Sequence, residues 1–128
     1  MATDNLLGSL ELVGAESSVA GVRAFVRGTL GMGHPALDDV TLLVSELTTN
    51  AVLHSDSRDG GPVSVTLLEC DQAIRVIVRD AGSGSRPRVS GDLCGEGGRG
   101  LFLVEELSQC WGVDEDGTGR AVWCEVKV

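Results

Sequence analysis

Apolar residues recur at spacings of three and four from Leu37 to Leu53, which predicts a single helix ending near Ser55. Leu37, Val40, Val44, Leu47 and Ala51 fall on one stripe of that helix and are its buried side. Pro35 suits the first turn, and Asp38 and Asp39 favour its positive end. An earlier helix has Val19, Val22, Val26 and Leu30 as its apolar face, with Ser17 or Ser18 as cap and Gly31 and Gly33 as its end. Before it, residues 1–6 read as a loose start and Ser9–Gly14 as a short strand. Val63–Leu67 and Ile74–Asp80 alternate as strands around a tight turn at Cys70–Ala73, which predicts an antiparallel hairpin. Leu101–Leu107 returns to helical spacing. Trp111–Val113 and Ala121–Val128 flank a turn at Asp116–Gly119 and read as a closing hairpin.

Two places break these periods in ways that suggest chemistry. Glu46, Asn50 and His54 lie four apart and form a polar stripe beside the buried one. A solvated helix face is the plain explanation. The alternative is a site, with Asn50 giving an oxygen ligand to a hard cation and Glu46 accepting a proton one turn away. The other break is the long run from Ala81 to Gly98, rich in Gly, Ser, Pro and Arg and without period. A loop of that length in a compact domain is more often functional or mobile than accidental.

Parity places Asp80 on the same strand face as Ile74, Val76 and Val78, so it reaches the helix side if those residues do. Asp80-Ala81-Gly82-Ser83-Gly84 then turns sharply. A carboxylate there can accept a hydrogen bond from an exocyclic amine while a flat ring lies on the glycines; a plain turn is the competing explanation. Gly97-Gly98-Arg99-Gly100-Leu101 opens a helix, and its free amides suit phosphate oxygens. Gly95, Gly97 and Gly100 spell the dinucleotide fingerprint, but no apolar strand precedes them, so that assignment is rejected.

Composition narrows the classes. The 128 residues suit one domain, and 42% hydrophobic content suits a globular core. No apolar run approaches the ~20 residues of a membrane span, and no basic residue precedes the first apolar stretch, so a cytoplasmic location is expected. The net charge of −9 argues against nucleic acid and anionic membranes as partners. Lys127 is the only lysine, which excludes a Walker-type phosphate loop and a eukaryotic-type kinase. Cys70, Cys94, Cys110 and Cys124 lack zinc or redox spacing and are read as small buried thiols.

The order of the three motifs is Glu46-x-x-x-Asn50, then Asp80-x-Gly82-x-Gly84, then Gly98-x-Gly100-Leu101. It resembles the GHKL ATPase superfamily of gyrase, heat-shock chaperone, histidine kinase and mismatch-repair ATPases, from about Ser9 to the end of the chain. The resemblance implies the Bergerat fold, a two-layer α/β sandwich whose mixed, mostly antiparallel sheet carries helices on one face, here as a single domain over residues 1–128 with a lid loop at about 81–98. It implies ATP and Mg²⁺ as ligands, with Asn50 holding the metal and Glu46 acting as general base. Asp80 takes the adenine amino group, with Gly82 and Gly84 beside it. The run Gly98, Arg99, Gly100 and Leu101 takes the phosphates, with Arg99 offering a cation. His54 closes the pocket or merely ends the helix.

Within the superfamily, Leu42–His54 and Gly-Arg-Gly-Leu at 98–101 resemble the bacterial anti-sigma-factor serine kinases. Neither a phospho-accepting histidine helix pair nor a transducer domain is recognisable. This resemblance implies a protein serine kinase that binds a sigma factor and phosphorylates an anti-anti-sigma partner, and it allows a homodimer. The alternative is a module whose ATP occupancy sets partner affinity without phosphoryl transfer.

Overall fold

Helix α2, Leu37–His54, carries the expected stripe inward: Val40 and Val44 have no exposed surface, and Leu37, Leu47 and Ala51 are buried with them. The computed structural model describes residues 4–13, 18–54, 62–80, 106–116 and 119–128. Helix α1, Ser18–Leu30, contributes Val22 and Val26 to the same core. Its Ser18 hydroxyl does not cap the helix; it donates to the Val13 carbonyl at 2.8 Å and ties the helix start to the preceding strand. Gly31 ends α1 at φ 91°, a conformation that side chains rarely adopt, and its amide donates to the Arg27 carbonyl. Pro35 lies two residues before α2 rather than in it. His34 supports the entry instead, its Nδ1 accepting from the Ala36 amide at 3.0 Å and its carbonyl from Leu37.

Among the described residues five strands form one sheet in the order β1-β2-β3-β5-β4, and every pairing is antiparallel. They are β1 (Asn5–Val13), β2 (Pro62–Cys70), β3 (Ala73–Asp80), β4 (Cys110–Asp116) and β5 (Gly119–Lys127). Val63, Val65 and Leu67 on β2, Ile74, Val76 and Val78 on β3, and Val122, Cys124 and Val126 on β5 join the helix stripes in one core. Both helices therefore cover one face, and α2 lies against β2, β3 and β5. This is the α/β two-layer architecture that the sequence implies.

Two further expectations need correction. Strand β1 begins at Asn5 rather than Ser9. A register shift between Leu6 and Gly8 breaks its alternation, so its first half looks irregular in sequence. The cysteines are not uniformly buried: Cys124 is, Cys70 is half-buried and Cys110 is exposed. Burial pushes the Cys124 thiol up to about 12, helped by Cys110 and Glu125, so it is an inert core group. The expected lid at about 81–98 and most of the helix expected at 101–107 lie outside the described residues; Glu106 and Leu107 are helical.

The open face of the sheet is held by polar and aromatic side chains. Arg75 on β3 faces Glu125 on β5 and donates to its carboxylate from Nε at 2.8 Å and from Nη2. The same guanidinium lies 5.1 Å from the centroid of the Trp123 ring. Cys110 Sγ and Gln109 Nε2 also donate to Glu125, each at 3.4 Å. The Trp123 ring in turn lies over Gly112, where an added Cβ would come within 2.9 Å of three of its atoms.

These contacts predict two effects on stability. Gly112→Ala should displace the indole from Arg75, lower stability by about 1–3 kcal/mol and alter tryptophan fluorescence; urea titration read by fluorescence checks both. For Glu125, burial alone raises the pKa, but the bonds from Arg75, Cys110 and Gln109 outweigh it and hold the carboxyl below its ordinary 4.5. A depressed carboxyl stabilises the fold above the unfolded value and loses that contribution as pH falls through the folded one. Glu125→Gln should therefore cost about 1 kcal/mol or less at pH 7, and the gap from the native chain should narrow in urea melts as pH falls below 4.5.

Candidate functional site

The α2 stripe and the end of β3 are fixed by the same packing. Glu46 and Asn50 lie one turn apart on α2, both half-buried and bordering the stripe that faces the sheet. Arg23 on α1 clamps this stretch by donating from Nε to Ser45 Oγ at 3.1 Å, and Ser45 Oγ donates onward to the Thr41 carbonyl at 2.8 Å. Thr49 Oγ1 likewise donates to the Ser45 carbonyl, so these hydroxyls are used within the helix. Glu46 and Asn50 are left as a carboxylate and an amide at the core's margin. His54 is the last residue of α2, and its side chain lies outside the description.

Asp80 closes β3 on the helix side, as its parity with Val76 and Val78 requires, and only 5% of it is exposed. It stands opposite Arg120 on β5. Arg120 Nη2 donates to Asp80 Oδ2 at 3.0 Å, and the Arg120 side chain is itself only 14% exposed. A buried carboxylate needs such a partner, because removing one member of a buried pair costs about 3–5 kcal/mol. Arg120 Nε is also buried and makes no hydrogen bond among the described residues.

The sequence expectations thus divide cleanly. Glu46 and Asn50 lie on α2, and Asp80 ends β3, one of the strands that α2 covers. Gly82, Gly84, Gly98, Arg99, Gly100 and Leu101 lie outside the described residues. Arg120 was missed. The signal was present, since Arg120 shares strand parity with Val122, Cys124 and Val126, but its cross-strand partner is set only by the β3–β5 register.

The donor set fits a magnesium nucleotide. Asn50 carries a neutral amide oxygen of the kind a hard cation takes, and Asp80 sets a buried carboxylate beside Arg120 Nε. Among the described residues no group of three or more His, Cys, Asp or Glu side chains stands ready to hold a metal. Mg²⁺ normally keeps several waters and binds partly through phosphates. No helix among the described residues is long and apolar enough to cross a membrane.

Comparisons with known proteins bear on the fold and the family. The chain is 32% identical over 95 residues to the serine-protein kinase RsbW of Bacillus subtilis, covering 64% of this chain and 59% of that relative. It spans less than two thirds of the length of that curated relative. Among solved structures, the RsbU and RsbW domains of a Mycobacterium tuberculosis protein superpose with a TM-score of 0.69 at 23% identity, over 94% of this chain and 32% of the other. At that identity the likeness shows the fold alone. The histidine kinase domain of a blue-light-activated kinase from Erythrobacter litoralis gives a TM-score of 0.59 at 25% identity, covering 88% and 60%. Residues 14–125 match the family of histidine kinase-like ATPase domains. With α2, β3 and β5 all within or overlapping that span, the chain belongs to the histidine kinase-like ATPase family.

Proposed function

We propose that this chain binds Mg-ATP and is a protein serine kinase of the anti-sigma-factor type, acting on an anti-anti-sigma protein and binding a sigma factor. The observation that carries the reading is the half-buried Glu46–Asn50 pair on α2, on the same side of the sheet as the buried Asp80. The similarity to a serine-protein kinase supports the choice of serine as acceptor.

Each residue then has a separable task. Asp80 accepts from the adenine amino group and sets base identity. Asn50 holds the metal through its amide oxygen. Glu46, one turn earlier, orients the acceptor serine hydroxyl and takes its proton onto the carboxylate. Asn50 would hold Mg²⁺, which when bound would supply positive charge to offset the phosphates. In the glycine run, the Gly98 and Gly100 amides and Arg99 serve the phosphates, with Gly82 and Gly84 under the base.

Charge makes the metal indispensable on this reading. ATP carries about four negative charges near pH 7 and meets a chain of net charge −9, so long-range electrostatics oppose the encounter. Arg120 offers no relief, because its charge is already matched by Asp80.

Two measurements test the reading. Glu46→Gln should bind ATP within about twofold of the native chain while transfer of labelled phosphate to a partner serine falls about 100-fold or more. Normal transfer by that variant removes Glu46 from the chemistry. Native chain that captures a partner only with ATP, but transfers no phosphate, is instead a nucleotide-controlled binding module. For the metal, chelation or Asn50→Ala should weaken ATP more than tenfold, about 1.4 kcal/mol or more, and ADP by less. Calorimetric affinities indifferent to both changes leave the α2 stripe a structural feature only.

A further inference from the structure

Resting on the reading of Asp80 as the base acceptor, we propose that Arg120 is a second base-reading residue, donating from Nε to the ring nitrogen beside the adenine amino group. Arg120 Nη2 is already committed to Asp80 Oδ2 at 3.0 Å, and the register places the two residues directly opposite on adjacent strands. Nε is separated from Nη2 by a single carbon of the planar guanidinium, so the unpartnered donor lies next to the carboxylate. Carboxylate and Nε–H together present an acceptor beside a donor. The Watson–Crick edge of adenine presents the complement, an amino donor beside the N1 acceptor.

Burial supports the assignment. Nε is shielded from solvent, and a buried N–H without an acceptor costs free energy until one arrives. The core-facing neighbours of Arg120 on β5 are Val122 and Cys124, which offer no strong acceptor side chain. Arg120 is therefore more than a counter-ion. A guanidinium can donate from Nε and Nη2 along one edge, and here Nη2 rather than Nε is used on Asp80. Nη2 meets Asp80 Oδ2 at 3.0 Å while Nε makes no hydrogen bond among the described residues, which leaves Nε as the donor for a ligand.

The test compares affinities of ATP and 1-deaza-ATP, which lacks the ring acceptor, on the native chain and on Arg120→Gln, with folding of the variant checked by circular dichroism. The native chain should bind 1-deaza-ATP at least tenfold more weakly than ATP. Arg120→Gln should bind ATP more weakly than the native chain does, and should distinguish the two nucleotides by less than twofold. Equal affinities on the native chain, or the same ratio on both proteins, overturn the proposal while leaving ATP binding intact. If the variant does not fold, 7-deaza-ATP on the native chain decides: it should bind like ATP, and a loss matching that of 1-deaza-ATP overturns the assignment to N1. A native chain that binds no ATP at millimolar concentration removes the nucleotide reading itself, and this inference with it.

Discussion

The packing of α2 against β3 and β5 is the constraint on which the other features depend. Val40, Val44, Leu47 and Ala51 are buried against strand residues of one parity, and burying a Val or Leu side chain is worth about 1.5–3 kcal/mol. Because strand side chains alternate, that contact fixes the facing of every other residue in the two strands. Asp80 must then point to the helix side, and Arg120 must meet it there. The polar stripe of Glu46 and Asn50 is set by the same contact, since helix rotation leaves it only the margin of the core.

The sheet's two faces divide the work. The helix face is apolar along the middle of β2, β3 and β5 and becomes ionic at Asp80 and Arg120. The open face is held by Arg75, Glu125 and the Trp123 ring, which link β3 to β5, with Cys110 and Gln109 adding the β4 edge. Those contacts fix β5 against β3 from the far side. They reinforce, from the far face, the backbone pairing that sets Arg120 opposite Asp80.

Much of this was legible in the sequence. The helices, the two hairpins and the facing of Asp80 can all be read from spacing and parity, because each is set by residues close in the chain. What was not legible depends on partners far apart in sequence. The early start of β1 is hidden by the shift between Leu6 and Gly8, and only pairing with β2 reveals it. The unequal burial of the cysteines reflects which sheet face each occupies: Cys124 faces the helices, whereas Cys110 lies beside Glu125 on the open face. Arg120 is separated from Asp80 by 40 positions, and neither the composition nor any motif links them. The motif assignments at Glu46 and Asn50 drew instead on family resemblance, since four-residue spacing on a helix fits a solvated face equally well.

The Asp80–Arg120 pair also shows why a fold would keep charge at the rim of an apolar core. Replacing a buried ion pair with well-packed apolar residues is often neutral or stabilising, so net stability does not explain it. Removing either partner alone is costly, which holds the remaining side chain to its place. Two strands already joined by backbone bonds from Ala73 to Asp80 gain little registration from one more contact. What the pair does provide is a carboxylate kept in a protein interior with its orientation fixed by a neighbouring strand. Apolar residues could complete the core at that point, but they could not set an acceptor and a donor side by side there.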